Sequence, residues 1–206
     1  MAISARQFES KKAVLYKSIR SKLVSGDLLL CSGRAAFSKL IQKATNSPLS
    51  HVAFVIRVDD IDRVMVMESV ESQGVRTVPL SHYLKNYGGN GKPYKGRLYI
   101  GRHTGLASLV KKKPKLLREM TQMAVDRFGY PYDKDEIVKI AGRIGLGLFG
   151  LKSNARLTDD QEYICSEYVW LIYKYIKINA KNATPGFIAP ADFAKDENVC
   201  LKWRLL

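Results

Sequence analysis

Residues 51–70 have the sequence HVAFVIRVDDIDRVMVMESV, and the predicted fold rests on how the two halves of this segment pair. Residues 51–58 and 63–70 are rich in β-branched and apolar side chains, and three aspartates crowd the gap between them, a pattern that predicts a tight β-hairpin. In such a hairpin residue 51 faces a residue near 70, so His51 and Glu68 come within diagonal contact. A hydrogen-bonded edge histidine and a surface glutamate are the alternative interpretation of the same two residues.

The remaining pattern predicts an α+β fold, with an antiparallel sheet packed against helices. Further strands are expected at residues 27–32, 75–80 and 97–102, with a loop over 86–96. Helical spacing of apolar residues follows in several places. The expected helices cover 4–23, 34–45, Pro114 to about Phe128, a stretch from near Asp133, and a short one in the tail before a last strand.

The N-terminal segment, residues 1–25, is predicted to be a basic amphipathic helix. Phe8, Leu15, Ile19 and Leu23 recur at helical spacing and lysines or arginines fill the other positions. Such a helix either lies on a membrane or packs on its own domain with the lysines solvated, and we favour the second. Residues 26–206 then form the rest of a single domain.

The chain of 206 residues carries 34 Lys and Arg against 19 Asp and Glu, a net charge of +15. That charge makes an anionic surface an expected partner, although a generally basic soluble surface explains it equally well. Three cysteines without CxxC spacing argue against a disulfide framework. We expect a cytoplasmic protein, with peripheral membrane contact left open, because no signal-peptide pattern or long apolar run occurs.

Several motifs point to chemistry that the surrounding sequence does not support. Gly145, Gly147 and Gly150 spell GxGxxG within an apolar run at 139–151, but the strand before and the helix after that a dinucleotide site needs are missing. The lysine run at 111–115 lacks the alternating aromatic residues of a nucleic-acid platform. The three histidines show no metal-binding spacing. We therefore predict no cofactor, no metal and no specific nucleic-acid partner.

YICSEYVWLIYKYI, residues 163–176, contains the candidate nucleophile Cys165. An apolar stripe follows the cysteine at helical spacing and predicts a buried helix. If the helix begins at Cys165, its free N–H groups and dipole favour negative charge on the sulfur. A capping-box pattern at 158–161 competes, because it would place the cysteine inside the helix. A small, inert buried cysteine remains the alternative.

Six motifs in one order resemble the circularly permuted branch of the NlpC-type papain-like cysteine hydrolases, the YiiX-like group, which is distantly related to lecithin:retinol acyltransferase. In this branch the histidine strand precedes the cysteine helix. The motifs are GDLLL (26–30), SPLSHVAFV (47–55), VMESV (66–70) with GVRTVPL (74–80), GYPYD (129–133), YICSEYV (163–169) and APADF (189–193).

The resemblance implies a Cys165 nucleophile, a His51 general base and Glu68 as the residue that orients the histidine. It places four secondary candidates for substrate contact near the cleft: Asp27, Ser50, Tyr132 and Tyr163. The implied reaction is acyl transfer through a thioester, with peptide or amide substrates such as cell-wall peptides. A lipid-directed acyl hydrolase or acyltransferase, and a non-catalytic binder of nucleic acid or anionic membrane, are the alternatives. The sequence leaves the oligomeric state open.

Overall fold

The strands form one sheet in the order β1-β7-β6-β2-β3-β4-β5. The computed structural model describes residues 2–133, 164–178 and 188–206. Neighbouring strands are antiparallel except for the parallel pair β1 and β7. The strands are β1 (Ala13–Val14), β2 (Asp27–Gly33), β3 (His51–Val58), β4 (Arg63–Val70), β5 (Gly74–Pro79), β6 (Gly96–His103) and β7 (Val199–Leu205).

Helices pack on both faces of this sheet, so the predicted α+β class is confirmed. The described helices are α1 (Ala5–Ser10), α2 (Tyr16–Ile19), α3 (Ala36–Ala44), α4 (Leu80–Lys85), α5 (Thr104–Lys112), α6 (Pro114–Val125), α7 (Cys165–Tyr175) and α8 (Pro190–Lys195).

The predicted hairpin forms between β3 and β4. A short 3-10 turn over Asp59–Ile61 joins the two strands, and Asp62 closes it with a left-handed φ of 48°. Phe54 pairs with Met67 and Val58 pairs with Arg63, the register that turns residue 51 toward residue 70. The expected register is therefore confirmed, and it places the side chains of His51 and Glu68 on the same face of the sheet.

Alternation along the central strands divides the apolar side chains between two cores. Val52, Phe54 and Ile56 of β3 pack into a first core together with the buried face of α7. Ala53 and Val55 belong to a second core on the other face, which also includes Tyr83 of α4. Both faces are covered, which explains why the predicted strands are nearly continuous apolar runs.

The predicted single helix over residues 4–23, and with it the basic helix over 1–25, is wrong. Phe8 of α1 packs in the first core, whereas Ile19 and Leu23 pack in the second. One straight helix cannot reach both faces, so the segment breaks into α1, β1, α2 and a 3-10 turn as it rounds the sheet edge. Leu15, at the crossing, is 62% exposed.

The other predicted elements agree with the structure where it describes them. The short tail helix and last strand are α8 and β7, and the helix from Pro114 is α6, which ends at Val125. Three features of the sequence analysis lie outside the described residues: the helix expected from near Asp133, the capping-box pattern at 158–161 and the 139–151 segment. None of the described helices has the combination of length and apolar character required to cross a bilayer.

The corrected N-terminus predicts unequal effects of two substitutions in one segment. Phe8 is 1% exposed, its ring lies 5.0 Å from that of Tyr99, and the Tyr99 hydroxyl donates to the Phe8 carbonyl. Phe8→Ala should lower the free energy of unfolding by about 3–5 kcal/mol. Leu15→Ala, the matched control, should change it by less than about 0.5 kcal/mol. Urea unfolding measures both; equal small effects would contradict this packing.

Candidate active site

Cys165 is the first residue of α7, as predicted. Ile164 before it is extended, with φ −77° and ψ 162°, and its N–H donates to the Glu167 carboxylate at 3.2 Å. The helix is anchored behind the cysteine, because Ser166 Oγ donates to the Ile188 carbonyl and Tyr168 Oη to the Ala124 carbonyl. The helix N-terminus therefore lies at a fixed position, where its N–H groups favour negative charge near the sulfur.

His51 lies at the beginning of β3 and meets Glu68 across the hairpin. Its Nε2 lies 2.8 Å from Glu68 Oε2, and the side chains are 14% and 0% exposed respectively. The diagonal contact predicted from the register is thus present in the structure. Because Nε2 is bound to Glu68, Nδ1 is the ring nitrogen left to face Cys165.

Two further residues that surround Glu68 were not predicted from the sequence. Arg76 donates to Glu68 Oε1 through Nε at 3.0 Å and Nη2 at 2.8 Å, and the Tyr83 hydroxyl donates to Oε2. Arg76 is directly opposite Glu68 in the β4–β5 ladder. The same register arithmetic applied to the next turn would have found Arg76, whereas no sequence pattern points to Tyr83.

A cleft of about 640 Å³ opens where Cys165 and His51 lie. One wall is formed by Phe37 and Ile41 of α3, and another by Tyr87 and Tyr94 from the 86–95 loop. Three basic side chains also line this cleft: Arg34, which precedes α3, and Lys92 and Lys95 of the 86–95 loop. The cleft can therefore hold an elongated substrate with apolar parts beside the sulfur and the imidazole.

The structure brings some of the secondary candidates to this cleft and not others. Ser50 and Tyr132 line it with Cys165. Asp27 does not reach it: the carboxylate is fully buried at the far end of β2 from Cys31, the strand partner of His51, and it accepts from Arg102 Nε at 2.6 Å and Nη2 at 2.8 Å. The position of Asp27 in a family motif suggested a place near the cleft, but its carboxylate instead forms an ion pair with Arg102 on the neighbouring strand. Tyr163 lies outside the described residues.

The charges around His51 favour its protonated form. Burial by itself lowers the pKa of the imidazole, but the charge and hydrogen bonding of Cys165 and then of Glu68 outweigh it and raise the pKa to about 10. Burial also raises the pKa of Glu68, yet the His51 contact and the Arg76 charge leave that pKa below its ordinary value. His51 thus lies between a sulfur and a carboxylate that both favour a positive charge on its ring.

A family model described as permuted papain-like amidase enzyme, YaeF/YiiX, C92 family, matches residues 22–196. The chain belongs to this family. The resemblance inferred from the order of the sequence motifs is confirmed at the level of the permuted papain-like fold. Family membership also supports a cysteine hydrolase in general terms.

Five solved chains are similar to this one. One is a crystal structure of the metalloprotein YiiX from Escherichia coli O157:H7, with 24% sequence identity and a TM-score of 0.49. The match covers 74% of this chain and 65% of that one, so this chain spans a little under two thirds of the YiiX chain. No curated protein matches.

Within residues 2–133, 164–178 and 188–206, no three or more His, Cys, Asp or Glu side chains come together in a way that could hold an ion.

We predict that His51 titrates near pH 10 in the folded protein and at lower pH once Cys165 is replaced. In Cys165→Ala, burial still lowers the pKa of the imidazole while the largest raising contribution is gone. The pKa must therefore fall. Histidine ring shifts followed by NMR through a pH titration measure it, with Cys200→Ala, which removes an exposed thiol, as the matched control. Identical titrations in the two variants would show that Cys165 does not interact with the imidazole.

Proposed function

We propose that the protein is a cysteine-dependent amide hydrolase in which Cys165 is the nucleophile, His51 the general base and Glu68 the residue that orients the imidazole. The observation that carries this proposal is the Nε2–Oε2 hydrogen bond of 2.8 Å between His51 and Glu68, at a cleft that also contains the sulfur at the start of α7. Membership of a permuted papain-like amidase family supports the same reaction class.

The reaction proceeds in two acyl transfers. His51 accepts the thiol proton, the sulfur attacks the carbonyl carbon, and the tetrahedral intermediate collapses to a thioester as His51 gives its proton to the leaving amine. Water, deprotonated by His51, then attacks the thioester, releasing a carboxylic acid and the thiol. We propose that the backbone N–H of Cys165, at the helix N-terminus, donates a hydrogen bond to the oxyanion.

Glu68 accepts a hydrogen bond from Nε2–H of His51. The neutral ring therefore keeps its proton on Nε2 and faces Cys165 with Nδ1 throughout the cycle. The buried carboxylate accepts no proton from the ring in this cycle, because Arg76 already neutralises it.

Cell-wall peptides are the first substrate class that we propose, as amides of the kind a papain-like site cleaves. Acylated lipids are the second, and a specific feature favours them. Helix α3 has no buried residue although its apolar side chains lie on one stripe, and two of them, Phe37 and Ile41, line the cleft. An aliphatic chain packed along that wall would bury apolar area next to the sulfur.

Thiol labelling tests the nucleophile against two internal controls. In mildly acidic iodoacetamide, Cys165 should react well before Cys200 and Cys31. Cys200 is the exposed thiol, so faster reaction of the buried Cys165 must come from activation and not from access. Cys31 is buried, and burial raises its pKa well above the ordinary value. Mass spectrometry of the labelled peptides gives the order.

His51→Ala should slow the labelling of Cys165 and leave that of Cys200 unchanged. Labelling led by Cys200, together with polyanion binding that weakens steeply with salt, would instead support the non-catalytic binder.

Turnover identifies the substrate class. Wild-type protein should hydrolyse cell-wall peptides or acylated lipids, and Cys165→Ala should reduce the rate by on the order of 10⁴-fold or more, because removal of a nucleophile leaves only the contribution of binding. Cys200→Ala is the matched control and should retain the wild-type rate. Release of amine or fatty acid, measured by mass spectrometry, separates the two classes, and equal rates in the two variants would contradict the assignment of Cys165.

A further inference from the structure

The carboxylate of Glu68 has hydrogen-bond donors on both oxygens although it is fully buried. Oε1 accepts twice from Arg76, and Oε2 accepts from His51 and Tyr83. We propose, resting on the function proposed above, that Arg76 and Tyr83 are positioning residues that keep Glu68 ionised and turned toward Nε2, so that His51 always presents Nδ1 to Cys165.

Arg76 supplies the charge that a buried carboxylate needs. An isolated carboxyl at this position would take up a proton, because burial disfavours its charged form. Two N–H groups of one guanidinium reach Oε1 from the facing residue of β5, and the Arg76 side chain is only 20% exposed. Glu68 therefore remains an anion even when the imidazole is neutral, and an anion at Oε2 accepts only from the Nε2–H tautomer.

Tyr83 fixes the orientation of the same carboxylate. Its hydroxyl donates to Oε2, the oxygen that His51 uses, and lies 3.3 Å from Nε2. The Tyr83 ring packs against Tyr87 and Tyr94, with centroids 4.7 and 5.5 Å away, and its carbonyl accepts from the Tyr94 N–H. Tyr87 and Tyr94 are themselves walls of the cleft, so the wall and the carboxylate are held by one aromatic cluster.

The other titratable groups that face Glu68 do not replace these two. Cys31 of β2 and Tyr87 interact with its charge, and burial raises the pKa of both, so each stays neutral near neutral pH. Cys165 interacts with His51. Besides His51 itself, Arg76 is therefore the cation, and Tyr83 the neutral donor, that acts on Glu68.

A second ion pair in the same sheet provides a matched control. Asp27 and Arg102 are also directly opposite each other on antiparallel strands, with a fully buried carboxylate and an arginine side chain that is 22% exposed. This pair lies away from the cleft. Loss of Arg102 should therefore destabilise the fold much as loss of Arg76 does, without affecting His51.

The experiment compares Arg76→Met, Arg76→Lys, Tyr83→Phe and Arg102→Met in the full chain. The first readout is the pair of ¹⁵N shifts of the His51 ring, followed through a pH titration, because the shifts report the tautomer at the high-pH end where the ring is neutral. The second is the pH profile of Cys165 alkylation by iodoacetamide, and thermal unfolding records the stability of each variant.

Arg76→Met should mix the His51 tautomers and move the acid side of the alkylation profile up by about one pH unit, which is about a tenfold slower reaction on that side. Tyr83→Phe should give the same change at about threefold, as expected for a neutral hydrogen bond. Arg76→Lys should recover most of the rate because it restores the charge. Arg102→Met should lower the melting temperature and leave both readouts at wild-type values.

Wild-type ring shifts and profiles in both Arg76→Met and Tyr83→Phe would overturn the proposal and leave the two residues as structural partners only. If Arg76→Met does not fold, Tyr83→Phe decides in the same way. A different result separates the two hypotheses. If Cys165 is unreactive in the wild type, the hydrolase proposal fails. The positioning role still stands in that case if the His51 ring shifts respond to Arg76→Met and not to Arg102→Met.

Discussion

The buried negative charge of Glu68 is the constraint on which the geometry of the site depends. An unpaired carboxylate in the interior costs several kcal/mol, so the surrounding elements must deliver donors to it. They come from three directions: His51 on β3, Arg76 on β5 and Tyr83 on α4. A slip of the β3–β4 ladder by one residue would turn His51 and Glu68 to opposite faces, and the same anion would then have lost its partner. The register and the site are therefore specified together.

The cysteine reaches this group from a distant part of the chain because the sheet, not chain order, decides what meets at the cleft. In this fold the histidine strand precedes the cysteine helix, and the first core packs the body of α7 against the face of the sheet opposite to the Glu68 side chain. The helix therefore packs on one face, and its first residue, Cys165, lines the cleft together with His51 at the beginning of β3. An N-terminal position on the helix is thus a consequence of how α7 packs, and it is also the position where a sulfur anion is most favoured.

Most of the fold, and the meeting of His51 with Glu68, could be predicted from the sequence because both depend on local periodicity and on one short turn. The boundaries of β3 and β4 and the start of α7 follow from where the alternation begins and ends. The prediction of one helix for the N-terminal segment failed for a physical reason. The apolar residues of this segment have helical spacing, but they are divided between two cores on opposite faces of the sheet, and spacing alone does not reveal that division. Tyr83 could not be found because it reaches Glu68 through the placement of α4, which follows β5 and packs against β4.

The two cross-strand ion pairs show where sequence reasoning about function reaches its limit. Asp27–Arg102 and Glu68–Arg76 have the same register relation, the same burial and nearly the same exposure of the arginine. Both acids lie in motifs of the family pattern, and both were predicted from the sequence to lie at the cleft. What separates them is long-range: His51 and the first turn of α7 stand beside one pair, while the other joins β2 and β6 and accepts the Val24 N–H from the N-terminal segment. The two buried acids thus differ in the group that lies next to the second carboxylate oxygen. For Glu68 that group is an imidazole facing a thiol, and for Asp27 it is a backbone amide.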